Sequence, residues 1–381
     1  MTDAKLHIVH TESSCGWGGQ EIRVLTEARG LVRRGHRVRI VCAPDSNILR
    51  AAAGYGLEAL ALPIERKRPG PLLALRRWLA REGAKIDVLN SHSSTDSWLA
   101  ALACASLGDA PPIVRTRHVS SPVGRGRATF WLYQRATRHV VSTGEALREQ
   151  LIRDNGFARD SITSVPTGID LERFRPRDQE GTRRVLGLPP RIPLLGILAT
   201  LRNWKGHTYL FEALAQLKSR YPALRLLVIG DGPYRPKLDA CVAELGVADR
   251  VQFVGQREYP EFWLNALDVF ALPSYGDEGI SQALMQAMAC GLPVITTSIG
   301  GHAEVVRHDE TGLLIPARDP AMLAQAIGRL LGNEALRGTL GAAAHRFAVA
   351  HCGEEMMLDK MEVLFRRFAR PHGDHRKMTV V

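Results

Sequence analysis

Two α/β units in tandem, each a parallel sheet wound with helices, are what the sequence predicts, and three observations carry the prediction. The chain has 381 residues, which at roughly 100 to 200 residues per domain corresponds to two domains, each large enough to bury its own core. Hydrophobic residues make up 45% and charged residues 23%, the balance of an ordinary globular protein, so disordered and collagenous classes are excluded. Short apolar runs alternate with helical patterns from end to end, the mark of parallel strands joined by crossover helices rather than of sandwiches or bundles.

The first set of strands is expected at Leu6 to His10, Val38 to Cys42, Val88 to Ser91, Ile113 to Thr116, Val140 to Thr143 and Ile162 to Val165. After the first, Ile22, Leu25, Ala28 and Leu31 recur at helical spacing. The stretch from Asp170 to Gly181 is polar, holds Pro176 and keeps no apolar period, so it reads as an interdomain linker. A second set follows at Leu194 to Ala199, Arg225 to Ile229, Val251 to Val254, Val269 to Pro273, Val294 to Thr297 and Leu313 to Ile315. Two sheets of about six strands are therefore expected. A helix should open near Ser281 and stop before Gly291. In the last helix Met357, Met361, Leu364 and Phe368 mark one face, and a basic tail follows from Arg370. The expected units are 1–175, 176–353 and 354–381.

Cys15, Cys42, Cys104, Cys241, Cys290 and Cys352 form no CxxC pair, so neither a disulfide framework nor a zinc site is indicated. No run reaches the ~18 apolar residues of a membrane span. The start, MTDAKLHIVH, enters a strand pattern with no leader, and the expected location is the cytoplasm. Residues 1–175 hold 26 Lys and Arg against 17 Asp and Glu, and so carry +9 of the net charge of +11. Either an acidic partner meets this half or its arginines form a solvated surface.

Chemistry is sought where strands end. The loop Thr11 to Gln20 carries Gly16, Gly18 and Gly19 ahead of a helix; it is a phosphate or sugar cradle, or a turn that needs glycine. Arg202 and Lys205 follow the first strand of the second set, three residues apart, and can neutralise a diphosphate. Gly230-Asp-Gly232-Pro is a tight turn that most contexts use structurally. The densest feature runs from Pro273 to Pro293: Glu278 stands beside Gly279, Ile280 and Ser281, whose N–H groups open a helix, and Gln286 lies eight residues on. Neither half shows the dinucleotide fingerprint G-x-G-x-x-G, and no Walker lysine is present.

At these residues the chain resembles the retaining family 4 glycosyltransferases of the GT-B fold, in which two Rossmann-like domains face across a cleft. The similarity rests on Gly18-Gly19-Gln-Glu21, Arg34-Gly-His36-Arg-Val38, Thr116-Arg-His118, Gly168-Ile-Asp170, Arg202 with Lys205, Gly230-Asp-Gly-Pro233, Val251-Gln-Phe-Val-Gly255, Glu278-Gly279, the run Ala287 to Val294, and Gly300-Gly-His-Ala-Glu304. One position departs. The second acid of the E-x7-E element is Gln286, an amide with one acceptor oxygen where a carboxylate would receive two ribose hydroxyls.

The resemblance implies transfer of a sugar from a nucleotide-diphosphate donor, uridine ahead of guanosine, with the anomeric configuration kept and with no metal or other cofactor. His118, Glu278, Arg202 and Lys205 are the implied catalytic group. Gly18, Gly19, Gly232, Gln256, Arg257, Gly279, Ile280, Ser281 and Gln286 would hold the donor, and Gln20 and His92 would lie on the acceptor side. His118 taken alone reads equally as a satisfied core imidazole, and His36 as the closure of a helix–strand turn. A lipopolysaccharide, lipid-linked or other cell-surface glycan acceptor is implied, with the basic half attached peripherally to an anionic inner membrane face and with no nucleic acid partner. The alternative is a sugar-nucleotide binder without catalysis.

Overall fold

A computed structural model describes residues 4–276 and 278–370. The first lobe holds a seven-stranded, all-parallel sheet: β1 (His7–Glu12), β2 (Arg37–Cys42), β3 (Glu58–Ala61), β4 (Val88–Ser91), β5 (Ile113–Arg117), β6 (His139–Ser142) and β7 (Ile162–Ser164), in the order β3-β2-β1-β4-β5-β6-β7. The second holds six parallel strands: β8 (Leu194–Leu198), β9 (Arg225–Ile229), β10 (Val251–Gly255), β11 (Val269–Leu272), β12 (Val294–Thr297) and β13 (Leu313–Ile315), in the order β10-β9-β8-β11-β12-β13. In both lobes the chain winds outward from the first strand in one direction and then in the other. That reversal opens a crevice at the strands' carboxyl ends.

The extra strand is β3, where the sequence led us to expect none. Its residues, Glu-Ala-Leu-Ala, include helix formers, and it pairs only with β2 at the sheet edge with both ends exposed. An edge strand needs no apolar run, so periodicity cannot find it.

The pleat divides the first core in two. Ile8 of β1 packs with Val24, Leu25 and Leu31 on one face, and its neighbour Val9 packs with Leu75, Trp78 and Leu89 on the other. The helix Glu354–Phe368 seats Met357, Leu358, Met361, Leu364 and Phe365 in the first of these cores, each buried apolar side chain contributing about 2 kcal/mol. It lies against the helix Gly19–Arg33, where a Cβ on Gly30 would stand 2.4 Å from Leu358. Arg34 ties the pair down through Asp359 at 2.8 Å and Glu362 at 3.1 Å. His36 does close its turn, accepting the Leu6 N–H at 3.1 Å. All six cysteines are free, Cys15 exposed and Cys42, Cys290 and Cys352 buried. Among the described residues no helix is long and apolar enough to cross a membrane.

Candidate active site

On the second lobe the site is built at the ends of β8, β11 and β12. Glu278 is 7% exposed, and a buried carboxylate needs partners. It finds Lys205 Nζ at 2.5 Å and the Ser274 hydroxyl, which donates to Oε1 at 3.2 Å. The loop after β12 wraps over it so closely that a Cβ on Gly300, whose φ is +58°, would fall 1.9 Å from the Glu278 carbonyl oxygen. Only glycine tolerates that approach. His302 sits beneath, its Nδ1 2.9 Å from Thr296 Oγ1. Burial lowers its pKa to about 4, with Glu278 opposing and Lys205 reinforcing the shift, so it is neutral. The N–H groups of Gly279, Ile280 and Ser281 have no acceptor among the described residues. They precede the helix Gln282–Ala289, whose N-cap Ser281 makes no side-chain cap bond, leaving its positive end open.

On the first lobe the ends of β1, β4 and β5 meet. Glu12 is fully buried and held by Gln20 Nε2 at 2.5 Å, by the Ser14 N–H at 2.8 Å and by the Ser93 hydroxyl. Asp96 accepts from Thr11 Oγ1 at 2.8 Å and from the His92 and Ser93 N–H groups at 2.9 Å. Burial raises the pKa of both acids, and the charge of Asp96 raises Glu12 further. Three imidazoles run in series: His10 Nδ1 lies 2.9 Å from His92 Nε2, and His92 Nδ1 lies 2.9 Å from His118 Nε2. On β5, Arg115 is 2% exposed and stacked 4.2 Å over the Tyr133 ring, its Nε and Nη1 without a hydrogen-bond partner among the described residues. Lys67 Nζ donates to Ser94 Oγ at 3.0 Å, and burial and the Arg115 charge lower its pKa, with Asp96 opposing.

The lobes touch across the crevice. Gln282 Nε2 donates to the Gly19 carbonyl. Both oxygens of Glu304 accept backbone N–H bonds of 2.8 Å, from Glu145 and Ala146 at the start of the helix Glu145–Asn155 in the first lobe. A Cβ on Gly279 would lie 2.9 Å from Thr143 Oγ1 and 3.0 Å from the His118 carbonyl. The carboxyl ends of the two sheets thus stand against each other across the crevice.

Residues 17–173 match the model of "Glycosyltransferase Family 4" and residues 192–333 that of "Glycosyl transferases group 1". The chain is 35% identical over 390 residues to a protein of Nocardia farcinica named D-inositol 3-phosphate glycosyltransferase, covering 89% of this chain and 84% of that one. It is a family 4 glycosyltransferase. The fold is shared with Anabaena Alr3699/HepE, solved with UDP-glucose (TM-score 0.85, 21% identity, 95% and 100% of the two chains). It is shared too with a sucrose-phosphate synthase from Thermosynechococcus elongatus (TM-score 0.81, 23% identity, 95% and 99%).

Against the family's motifs the structure sorts the candidate residues. Lys205, Glu278, Gly279, Ile280 and Ser281 come together, and His118, just past the end of β5, brings its carbonyl against Gly279. Arg202 is exposed, its guanidinium 5.7 Å from the Trp204 ring centre. Gln286 is half-buried, on the helix behind Ser281. Gln256 and Arg257 are exposed past β10, Arg257 5.0 Å over Trp263. Gly232 has a packing reason of its own, since a Cβ there would come 2.6 Å from the Leu201 carbonyl. Gly18 caps the helix Gly19–Arg33 at the crevice. Gln20 and His92 face inward on Glu12 and the other histidines. Sequence reasoning missed His10, Glu12, Asp96, Arg115 and Gln282, and assigned Glu304 no role. Among the described residues no group of three or more His, Cys, Asp or Glu is placed to hold a metal ion.

Proposed function

We propose that this glycosyltransferase moves a sugar from a uridine-diphosphate donor, with retention and without a metal, to a hydroxyl of a phosphate-bearing acceptor held on the first lobe. The observation that carries the reading is the Lys205–Glu278 pair beside the open N–H groups of Gly279, Ile280 and Ser281. The diphosphate would take Lys205, with Arg202 swinging in from Trp204, and those N–H groups would complete the stabilisation of the leaving charge. Freed from Lys205, Glu278 would accept donor-sugar hydroxyls. The bond from C1 to the diphosphate breaks, the acceptor oxygen bonds C1 on the same face, and the departing phosphate takes the acceptor's proton.

Support for the donor comes from Alr3699/HepE, solved with UDP and with UDP-glucose on the same fold. Support for the acceptor comes from Lys67 and the unpartnered nitrogens of buried Arg115, and from relatives named for an inositol phosphate. A second reading, a lipid-linked or lipopolysaccharide acceptor with peripheral attachment to an anionic membrane, is favoured by the exposed apolar residues Leu73 and Phe130 within basic segments of the first lobe. The test incubates UDP- and GDP-sugars with and without phosphorylated polyols or lipid-linked glycans, and measures released nucleoside diphosphate and the product anomer. Release from GDP-sugars alone, or an inverted product, overturns the donor or the stereochemistry. Binding with no release from any pair leaves the non-catalytic binder. Vesicle binding that rises with anionic lipid and falls with salt decides for the second reading.

A further inference from the structure

We infer that His10 and His92, neither of which reaches the cleft, are positioning residues that fix His118 as its Nδ1–H tautomer, so that His118 offers the bound sugar a hydrogen-bond donor and not a base. The inference rests on the transfer reading only for what His118 faces.

The chain of imidazoles is set by geometry. Both N···N separations are 2.9 Å, within hydrogen-bond range. The rings also stack: His10 and His92 have centroids 5.2 Å apart at 15°, and His92 and His118 are 5.2 Å apart at 35°. Phe365 of the last helix meets the far side of His10 edge-on at 6.2 Å. The backbone of His92 is pinned separately by Asp96, and the residues of His10 and His92 are 0% and 3% exposed. Burial is the main cause that lowers the pKa of all three, and the Arg23 cation adds to it, so each ring is neutral and carries one hydrogen.

Three hydrogens then serve two contacts. A neutral imidazole in the middle can donate once and accept once, so the two bonds must run in the same direction. Run toward His10, they leave an N–H on His10 Nε2. That atom is buried and has no partner among the described residues, and a buried N–H without an acceptor is the rarer and costlier orphan. Run toward the cleft, they leave only a lone pair at His10 Nε2 and place the third hydrogen on Nδ1 of His118, a half-buried residue whose carbonyl lies 3.0 Å from where a Cβ on Gly279 would stand. There a sugar hydroxyl or ring oxygen can accept it. His118 cannot take a proton from the acceptor without becoming a buried cation, so proton removal is left to the departing phosphate.

The test is a long-range proton–nitrogen NMR spectrum of the full chain with 15N-histidine, assigned by single-histidine variants. Expected at neutral pH is a protonated Nδ1 and a lone-pair Nε2 on both His118 and His92; a protonated Nε2 on His118 overturns the inference. His10→Phe keeps the stack but removes the terminal donor. It should turn His118 into a mixture of tautomers and lower kcat about fivefold, the worth of one neutral hydrogen bond, with donor KM within about twofold. An unchanged His118 spectrum in that variant overturns the inference as well. If no sugar transfer is found in the native protein, the functional reading fails while the tautomer measurement still decides the chain.

Discussion

Replacing Glu304 with alanine should open the cleft without unfolding either lobe. The carboxylate lies in the second lobe and accepts two N–H bonds of 2.8 Å from the first free turn of the helix Glu145–Asn155 in the other. A side-chain acceptor at a helix N-terminus is worth about 1 kcal/mol, and a negative charge there adds roughly 0.3 to 1 kcal/mol. Glu304 is only half-buried and its partners are exposed, which keeps the sum near the lower end, about 1.5 kcal/mol, or about tenfold in the closed-to-open ratio. Glu304→Gln retains one acceptor oxygen and loses the charge, so roughly threefold is expected. A fluorophore pair with one dye on each lobe reads the closed fraction, and donor turnover should fall in step, because the Lys205 and His118 faces meet only when the cleft is shut. The melting temperature should hardly move. A closed fraction unchanged in Glu304→Ala, or a loss of stability matching the loss of activity, would refute the view of this residue as a clasp between lobes.

Lys205→Ala and Glu278→Ala should each cut turnover at least roughly 100-fold, the range for one lost transition-state donor; native-like transfer by both would remove the site from these residues. Gly300→Ala places a Cβ where the Glu278 carbonyl stands, at a φ of +58°, and should lower both activity and thermal stability, whereas an unaltered melting curve would contradict the packing. Gln286→Glu restores a two-hydroxyl acceptor and should tighten UDP binding by up to about tenfold, as titration calorimetry would show; unchanged affinity would mean that the ribose is held elsewhere. Because burial and Asp96 raise the pKa of Glu12, the folded chain keeps a proton that the unfolded chain releases near pH ~4. The contribution of Glu12 to stability should therefore be full below that pH and decline as pH climbs toward the raised value. Glu12→Gln should flatten the decline in urea midpoints, and an identical slope would sink the assignment.

What the sequence could show was set by the range of each interaction. The buried strands β8 and β11 read as apolar runs because both faces are covered, and β1 and β4 through Ile8–Val9 and Val88–Leu89, whereas β3, Glu-Ala-Leu-Ala, is built of helix formers at an exposed edge. Lys205 and Glu278 were legible from motif and strand-end position, though their 2.5 Å pairing was not, since 73 residues separate them. Glu304 stood in a quoted motif, but its partners are main-chain N–H groups 158 and 159 residues away, and backbone donors leave no trace in residue identity. The histidine series joins three strands with intervals of 82 and 26 residues; without a fold, the adjacent ends of β1, β4 and β5 are only three scattered imidazoles. Arg202 was expected to act as the twin of Lys205 because the two lie close in sequence. Across the short 3-10 turn Asn203–Lys205, Lys205 pairs with Glu278 while Arg202 stands beside Trp204.

The commitments of the cleft carboxylates bear on how the sugar leaves. Glu278 is bound by Lys205 and Ser274, Glu304 by a helix end, and Glu12 by Gln20, Ser14 and Ser93. A double displacement needs one of them free and aligned on C1 opposite the leaving group, as the paired acids of retaining glycosidases are. Releasing Glu12 would expose a group whose burial favours the protonated, non-nucleophilic form, and releasing Glu304 would open the clasp. Of these three, Glu278 alone has a partner that the donor diphosphate can draw away. A Glu278 freed in this way faces a substrate whose phosphates already hold Lys205, on the side where the diphosphate departs. On the proposed reading, same-face departure stabilised by cation and main-chain N–H groups is therefore expected rather than a covalent glycosyl-enzyme, and trapping of a glycosylated Glu278 would refute it.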